Sequence, residues 1–239
     1  MNNDILKRAS KDFLEAVKTV IKMKSATNAA HVKGAFVGGT AVNYHASNFR
    51  GTTDIDFQIS GLDRLAKNYD RKDLKKDIIS ILGKSKDTNI PIWTHNAESV
   101  CALTYSLLGS DKLVKAYVKI DILDSTVTGW NIESSSKVIT ELQISSSKLP
   151  FANRDDILCT KVKSARDRDR LGSDKGRQDL LDMIEIVSRH PGPVKDIQHQ
   201  QHLERYLPQI YHLGINSGWK LADWNKALNI KAKEPSKKR

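Results

Sequence analysis

The sequence predicts an α+β protein, with its strands gathered in the first 150 residues and a helical region after them. Three observations carry this. Short apolar runs bounded by Gly, Ser and Asn recur up to Leu149-Pro150 and have strand length. The opening segment and almost everything beyond Pro150 show apolar residues at helical spacing. Leu149-Pro150 itself interrupts the chain where the pattern changes, so we place a boundary there, between residues 1–150 and a C-terminal region of residues 151–239.

Taken in order, Ile5, Leu6, Phe13, Leu14, Val17, Val20 and Ile21 predict an amphipathic opening helix. Gly34-Ala35-Phe36-Val37 reads as a short buried strand, and a helix over residues 40 to 47 starts from the glycines after it. Asn48-Phe49-Arg50-Gly51 turns the chain into a strand over residues 54 to 59. Leu65, Leu74, Ile78, Ile79 and Leu82 give one apolar face to a helix predicted over residues 63 to 82. Strands over 100 to 107 and 113 to 123 flank Gly109-Ser110-Asp111 and read as a hairpin, and residues 137 to 144 form a further strand between two serine triplets. Helices are expected over 154–170, 174–189, 197–213 and 219–228. The last nine residues, Lys231 to Arg239, form a basic tail expected to be disordered.

Composition narrows the function classes. With 39% hydrophobic and 28% charged residues the chain has the balance of a soluble globular protein, and no run approaches the roughly 18 apolar residues of a membrane span. Met1-Asn2-Asn3-Asp4 lacks the basic-then-apolar order of a secretory signal, so a cytoplasmic protein is expected. Cys101 and Cys159, far apart and outside any CxxC pattern, are expected to be reduced. A net charge of +11 favours polyanionic partners, RNA among them, through counterion release. His199 and His202 lack a carboxylate or cysteine at a supporting spacing, so they are assigned to a solvated polar face rather than to zinc.

The chemistry concentrates in Phe36-Val37-Gly38-Gly39-Thr40 and Asp54-Ile55-Asp56. Side chains two apart on a strand share a face roughly 7 Å apart, which sets Asp54 and Asp56 together and turns Ile55 and Phe57 to the core. Two carboxylates so placed suit Mg²⁺, which takes hard oxygen ligands and keeps sites for water and phosphate. Glycines remove side chains where backbone must approach a ligand, and a helix start offers N–H groups to phosphate. Thr40 is expected to cap that helix or donate its hydroxyl. Asp121, set between branched apolar residues in Val118-Lys119-Ile120-Asp121-Ile122, must be paired, hydrated or ligating. A solvated edge strand carrying Lys119 and Asp121 is the plain alternative; a third metal-facing carboxylate is the sharper one.

With these residues on these elements, the chain resembles the nucleotidyltransferase superfamily that includes DNA polymerase β. Arg50-x-Thr52-x-Asp54-Ile55-Asp56 is similar to the AbiEii-type branch of toxin-like nucleotidyltransferases. Lys161-x3-Ala165-x2-Arg168 and Arg177-Gln178-Asp179-x2-Asp182 look like that branch's later helical motifs, with Gln178 where the branch has a basic residue. The resemblance implies a mixed β-sheet flanked by helices and followed by a helical region. It implies two-metal nucleotidyl transfer, with Asp54, Asp56 and Asp121 holding Mg²⁺ or Mn²⁺ and an NTP as substrate. Gly38, Gly39 and Thr40 would cradle phosphates, with Arg50, Thr52, Lys161, Arg168 and Lys175 as further nucleotide contacts, Lys161 first among the cations. The acceptor hydroxyl would belong to RNA, tRNA included, or to a protein, and a cognate antitoxin would be a partner. The competing class is a catalytically inactive module on the same fold that binds nucleotide or nucleic acid.

Overall fold

A computed structural model describes residues 3–46, 51–82, 92–97, 100–108, 113–144 and 148–234. It is an α+β fold built on a six-stranded mixed sheet. The strands are β1 (Lys33–Val37), β2 (Asp54–Ser60), β3 (Ile92–Ala97), β4 (Val100–Leu108), β5 (Leu113–Leu123) and β6 (Lys137–Val138), in the spatial order β3-β4-β5-β2-β1-β6. The helices are α1 (Asn3–Lys24), α2 (Gly38–His45), α3 (Arg71–Leu82), α4 (Ser125–Thr128), α5 (Arg154–Arg170), α6 (Lys175–Arg189), α7 (Ile197–Ile210) and α8 (Leu221–Leu228). Among the described residues no helix is long and apolar enough to cross a membrane.

The chain divides into two compact units: Met1–Thr40, Arg50–Val127 and Ile132–Ala152 form one, and Ala41–Phe49, Thr128–Asn131 and Asn153–Arg239 the other. In the first, β2 and β5 are parallel neighbours, while β1 against β2 and β4 against β5 are antiparallel. Alternation along β2 and β5 drives Ile55, Phe57, Val118, Ile120 and Ile122 into the core, where α1 adds Phe13, Leu14, Val17, Val20 and Ile21. Phe57 joins the two sides, with Phe13 and Phe36 edge-on at 5.2 and 5.0 Å between ring centroids. Period two then sends Asp54, Asp56, Lys119 and Asp121 to the opposite, half-buried face.

In the second unit α5 is capped by Asn153, whose side chain accepts from Asp156 N, and α7 by Asp196, which accepts from Gln198 N and His199 N. The close approach of α5 and α6 requires Gly176: a Cβ there would lie 2.9 Å from the Ala165 carbonyl oxygen. Ile157, Leu158, Val162, Leu180, Met183, Leu203, Leu207 and Trp224 are fully buried in this unit.

Several expectations are corrected. The helix predicted over 63–82 starts at Arg71; before it lie a 3₁₀ turn (Leu62–Arg64) and Asn68 at φ 61°, and Asp70 caps the helix by accepting from Lys72 N and Asp73 N. The strand predicted over 137–144 ends at Val138, because the chain tightens into a 3₁₀ turn (Ile139–Glu141) whose first N–H bonds Val32 O. Strand β3 was not foreseen. The basic tail is docked as far as it is described: Asn225 exchanges two hydrogen bonds with the backbone of Ala232, and Lys231 N donates to Glu204. The predicted hairpin turn at 109–111, and residues 48–50 of the predicted turn over 48–51, lie outside the described residues.

Candidate active site

The parallel register between β2 and β5 sets Asp56 beside Asp121 and Asp54 beside Lys119. Neighbouring strands lie about 4.8 Å apart, so the three carboxylates predicted from sequence share one face of two adjacent strands. Asp121 Oδ2 accepts from Lys119 Nζ at 2.9 Å, and Asp54 Oδ1 accepts from Thr53 Oγ1 at 3.0 Å. The bond to Asp121 holds the Lys119 ammonium above its ordinary pKa against the opposing pull of burial, and the charges of Asp121, Asp54 and Asp56 act in the same sense.

Gly38 follows β1 at φ 60°, a left-handed conformation that favours glycine, and opens α2. A Cβ at this position would lie 1.8 Å from Asp56 Oδ2, so the absence of a side chain at Gly38 is what makes room for that carboxylate. Gly39 continues the first turn of α2. Thr40 is buried and its hydroxyl donates to Asp54 O at 3.0 Å, and Thr52 donates to the same oxygen at 3.2 Å. Both hydroxyls are therefore engaged with the backbone of β2, and of the two alternatives for Thr40 it donates its hydroxyl, here to Asp54 O. Arg50 lies outside the described residues.

The donor set suits Mg²⁺ or Mn²⁺ in chemical type, and the bare backbone of Gly38 lets the Asp56 carboxylate lie against it. The oxygens are not drawn together in advance: among the described residues no group of three His, Cys, Asp or Glu side chains stands ready to hold a metal ion. Asp121 is turned onto Lys119 instead.

The second unit holds the remaining described motif residues. Lys161 is buried, and its Nζ lies 2.6 Å from Asp179 Oδ1 and 2.7 Å from Asp182 Oδ2. Burial pushes the ammonium down, but the two carboxylates outweigh it and hold Lys161 above the ordinary lysine value. Ser164 and Arg168 both donate to Asp179 Oδ2, and Gln178 donates to Asp182 Oδ1 at 3.0 Å. Two cations thus meet two carboxylates, and Gln178 supplies a neutral donor. Lys161 is the core of an α5–α6 ion network rather than an exposed cation, whereas Arg168 keeps 43% of its side chain exposed and Lys175 is exposed.

A second cluster in this unit overturns the solvated-face reading of His199 and His202. His199 is buried between Asp156 and Asp196, 2.9 Å from each, and Trp130 Nε1 donates to the same Asp156 Oδ1 at 2.8 Å. Burial lowers the His199 pKa, but the hydrogen bonds to Asp156 and Asp196 prevail and raise it. His202, against Trp130 and Tyr206 and bonded to Cys159 O, is pushed down to about 4 chiefly by burial. The physical cause is Asp156, a fully buried acid on α5 that needs partners from α7. Cys159 is a free, buried thiol whose pKa burial raises.

A glycine turn thus opens a helix beside a sheet face that carries three carboxylates. The chain matches the family model described as nucleotidyl transferase AbiEii toxin, type IV toxin–antitoxin system, over residues 25–234, and it belongs to that family. No curated protein and no solved structure gives a match.

Proposed function

We propose that this protein is a divalent-metal-dependent nucleotidyltransferase that moves a nucleoside monophosphate from an NTP onto an acceptor hydroxyl. One observation carries the reading: Asp54, Asp56 and Asp121 share a face of β2 and β5, and Gly38 lacks the side chain that would collide with the Asp56 carboxylate. When bound at such carboxylates, Mg²⁺ or Mn²⁺ supplies Lewis acidity toward phosphate oxygens and lowers the pKa of an attacking hydroxyl. Asp54 and Asp56 would hold the ions, with Asp121 completing the second position and its carboxylate taking the hydroxyl proton. Gly38 and Gly39 would admit the triphosphate against backbone N–H groups. Thr40 and Thr52 fix Asp54 through its carbonyl. Arg168 and Lys175 are the exposed cations offered to polyanionic substrate, and Lys161 holds α5 to α6.

A net charge of +11 favours RNA, tRNA included, over a neutral small molecule as acceptor. The type IV toxin–antitoxin description of the family supports a toxin role with a cognate antitoxin, acting in the cytoplasm. The test is incubation of purified protein with each labelled NTP, Mg²⁺, and either total RNA or total protein. Label should appear on one acceptor class, and the Asp54→Ala/Asp56→Ala double variant should give none. Equal labelling by wild type and double variant would remove the reading.

A further inference from the structure

We propose that Lys119 is the resident counter-cation of this carboxylate face, a positioning residue that competes with divalent ions for Asp121 and sets how tightly the nucleotide-free protein holds them. The proposal rests on the reading of Asp54, Asp56 and Asp121 as metal-holding carboxylates.

Three observations carry it. Lys119 and Asp121 stand two residues apart on β5, on the same side of the strand, and Nζ lies 2.9 Å from Oδ2. The register of β5 on β2 sets Lys119 beside Asp54 and Asp121 beside Asp56, so the ammonium belongs to the carboxylate face and not to a separate surface. The pair is only partly desolvated, with 35% of the Lys119 side chain and 20% of the Asp121 side chain exposed, so it can open without leaving a charge stranded in the core.

These facts explain why Asp121 is not already converged with its two neighbours. An ammonium and a divalent ion both require the same carboxylate oxygens, and a compact cation on a flexible stem is suited to hold a carboxylate and release it. Removing the ammonium leaves three carboxylates with less positive charge among them, which strengthens attraction for a divalent ion. The direction separates this role from a merely structural one. If Lys119 only braced the fold, its loss would loosen the face and weaken metal binding.

The experiment is Mn²⁺ titration of the full chain without nucleotide, read by the paramagnetic resonance signal of free Mn²⁺. Lys119→Met is expected to bind Mn²⁺ about tenfold tighter than wild type, equivalent to about 1.4 kcal/mol. Lys119→Arg, which keeps the charge, should stay within about threefold of wild type, the size of change a misplaced but retained cation would give. Lys119→Gln repeats the neutralisation with a polar side chain, and circular dichroism identifies any variant that fails to fold. Mn²⁺ affinity that is unchanged or weaker in both neutral variants, while wild-type binding is lost in Asp54→Asn, overturns the role of Lys119 alone. Absence of any Asp54-dependent Mn²⁺ binding overturns this role together with the metal-holding reading of the face.

Discussion

Two charge clusters, one in each unit, are built on opposite terms. On the β2–β5 face, Asp54, Asp56, Lys119 and Asp121 are half-buried, and the Lys119–Asp121 pair keeps a fifth to a third of its surface in water. Between α5 and α6, Lys161, Asp179 and Asp182 are at most 7% exposed, and Lys161 bonds both carboxylates while Ser164, Arg168 and Gln178 donate to them. A charge left near water can exchange its partner for a ligand. A charge sealed among its partners cannot, because exposing one member strands the other in low dielectric. Sequence motifs alone rank Lys161 and Asp54 together as site residues, whereas in the fold Lys161 is buried among carboxylates and Asp54 is half-buried.

The largest expected effect breaks the first cluster. Asp54→Asn keeps the size of the side chain and its place on β2, so the fold should persist. Nucleotidyl transfer should fall by about 10³-fold or more, as is expected when a charge-stabilising group of a transfer site is removed. Labelled-NTP transfer with circular dichroism on the same sample checks both halves, and retained transfer would show that the open cluster is not the reacting one.

The sealed cluster should respond in stability. Lys161→Met leaves Asp179 and Asp182 buried, with Arg168 still paired to Asp179, and should cost about 3–5 kcal/mol in urea unfolding. The triple change Lys161→Met/Asp179→Asn/Asp182→Asn should recover part of that loss, since no unpaired buried charge is left. If Lys161→Met loses transfer but not stability, Lys161 belongs with the open cluster after all.

What sequence could read divides along the same line. Period two places Asp54, Asp56 and Asp121 on strand faces, and Gly38-Gly39 marks a close backbone approach, but only the fold shows that the group approaching Gly38 is the Asp56 carboxylate. The pairing of Lys119 with Asp121 had a signal in the Lys119-x-Asp121 spacing, but only the register of β5 on β2 shows that Lys119 also stands beside Asp54. Nothing local could reveal that Trp130, Asp156 and His199 meet, since they are separated along the chain by 26 and 43 positions. Helix α3 was overextended because Leu65 continues its apolar spacing, although the chain around it is a turn with Asn68 left-handed. Strand β3 escaped because Trp93-Thr94-His95-Asn96 breaks the alternation of apolar and polar residues.

The histidine cluster gives a third, smaller effect, confined to the second unit. His202 is held neutral to about pH 4 in the fold but binds a proton near 6.5 when unfolded. Its contribution is therefore present above pH 6.5 and lost as pH falls from 6.5 toward 4, by at most about 3 kcal/mol. His199 has the opposite sign: its pKa is raised in the fold, so its contribution is complete below 6.5 and is lost as pH rises through the folded value. Between pH 6.5 and 4 only the His202 loss varies, of the two. Urea unfolding at pH 7 and pH 4.5 should show a smaller drop for His202→Gln than for wild type; an equal drop would place the acid sensitivity elsewhere.

The smallest effect tests how the open cluster is held. Thr40 and Thr52 both donate to Asp54 O, so one carbonyl oxygen serves two hydroxyls from opposite sides of the motif. Removing either leaves the acceptor satisfied by the other, and Thr40→Val or Thr52→Val alone should cost about 0.5–1 kcal/mol. The double variant leaves a carbonyl that has lost both, and should cost more than the sum, with a coupling of about 0.5–1 kcal/mol or more. Thr40→Ser, which keeps the hydroxyl, should behave as wild type. If these hydroxyls act only through Asp54, kcat should fall in the double variant while KM for the NTP stays level. A rise in KM for Thr40→Val alone would instead assign that hydroxyl to the phosphates, and would move Thr40 from the support of the site to its contact surface.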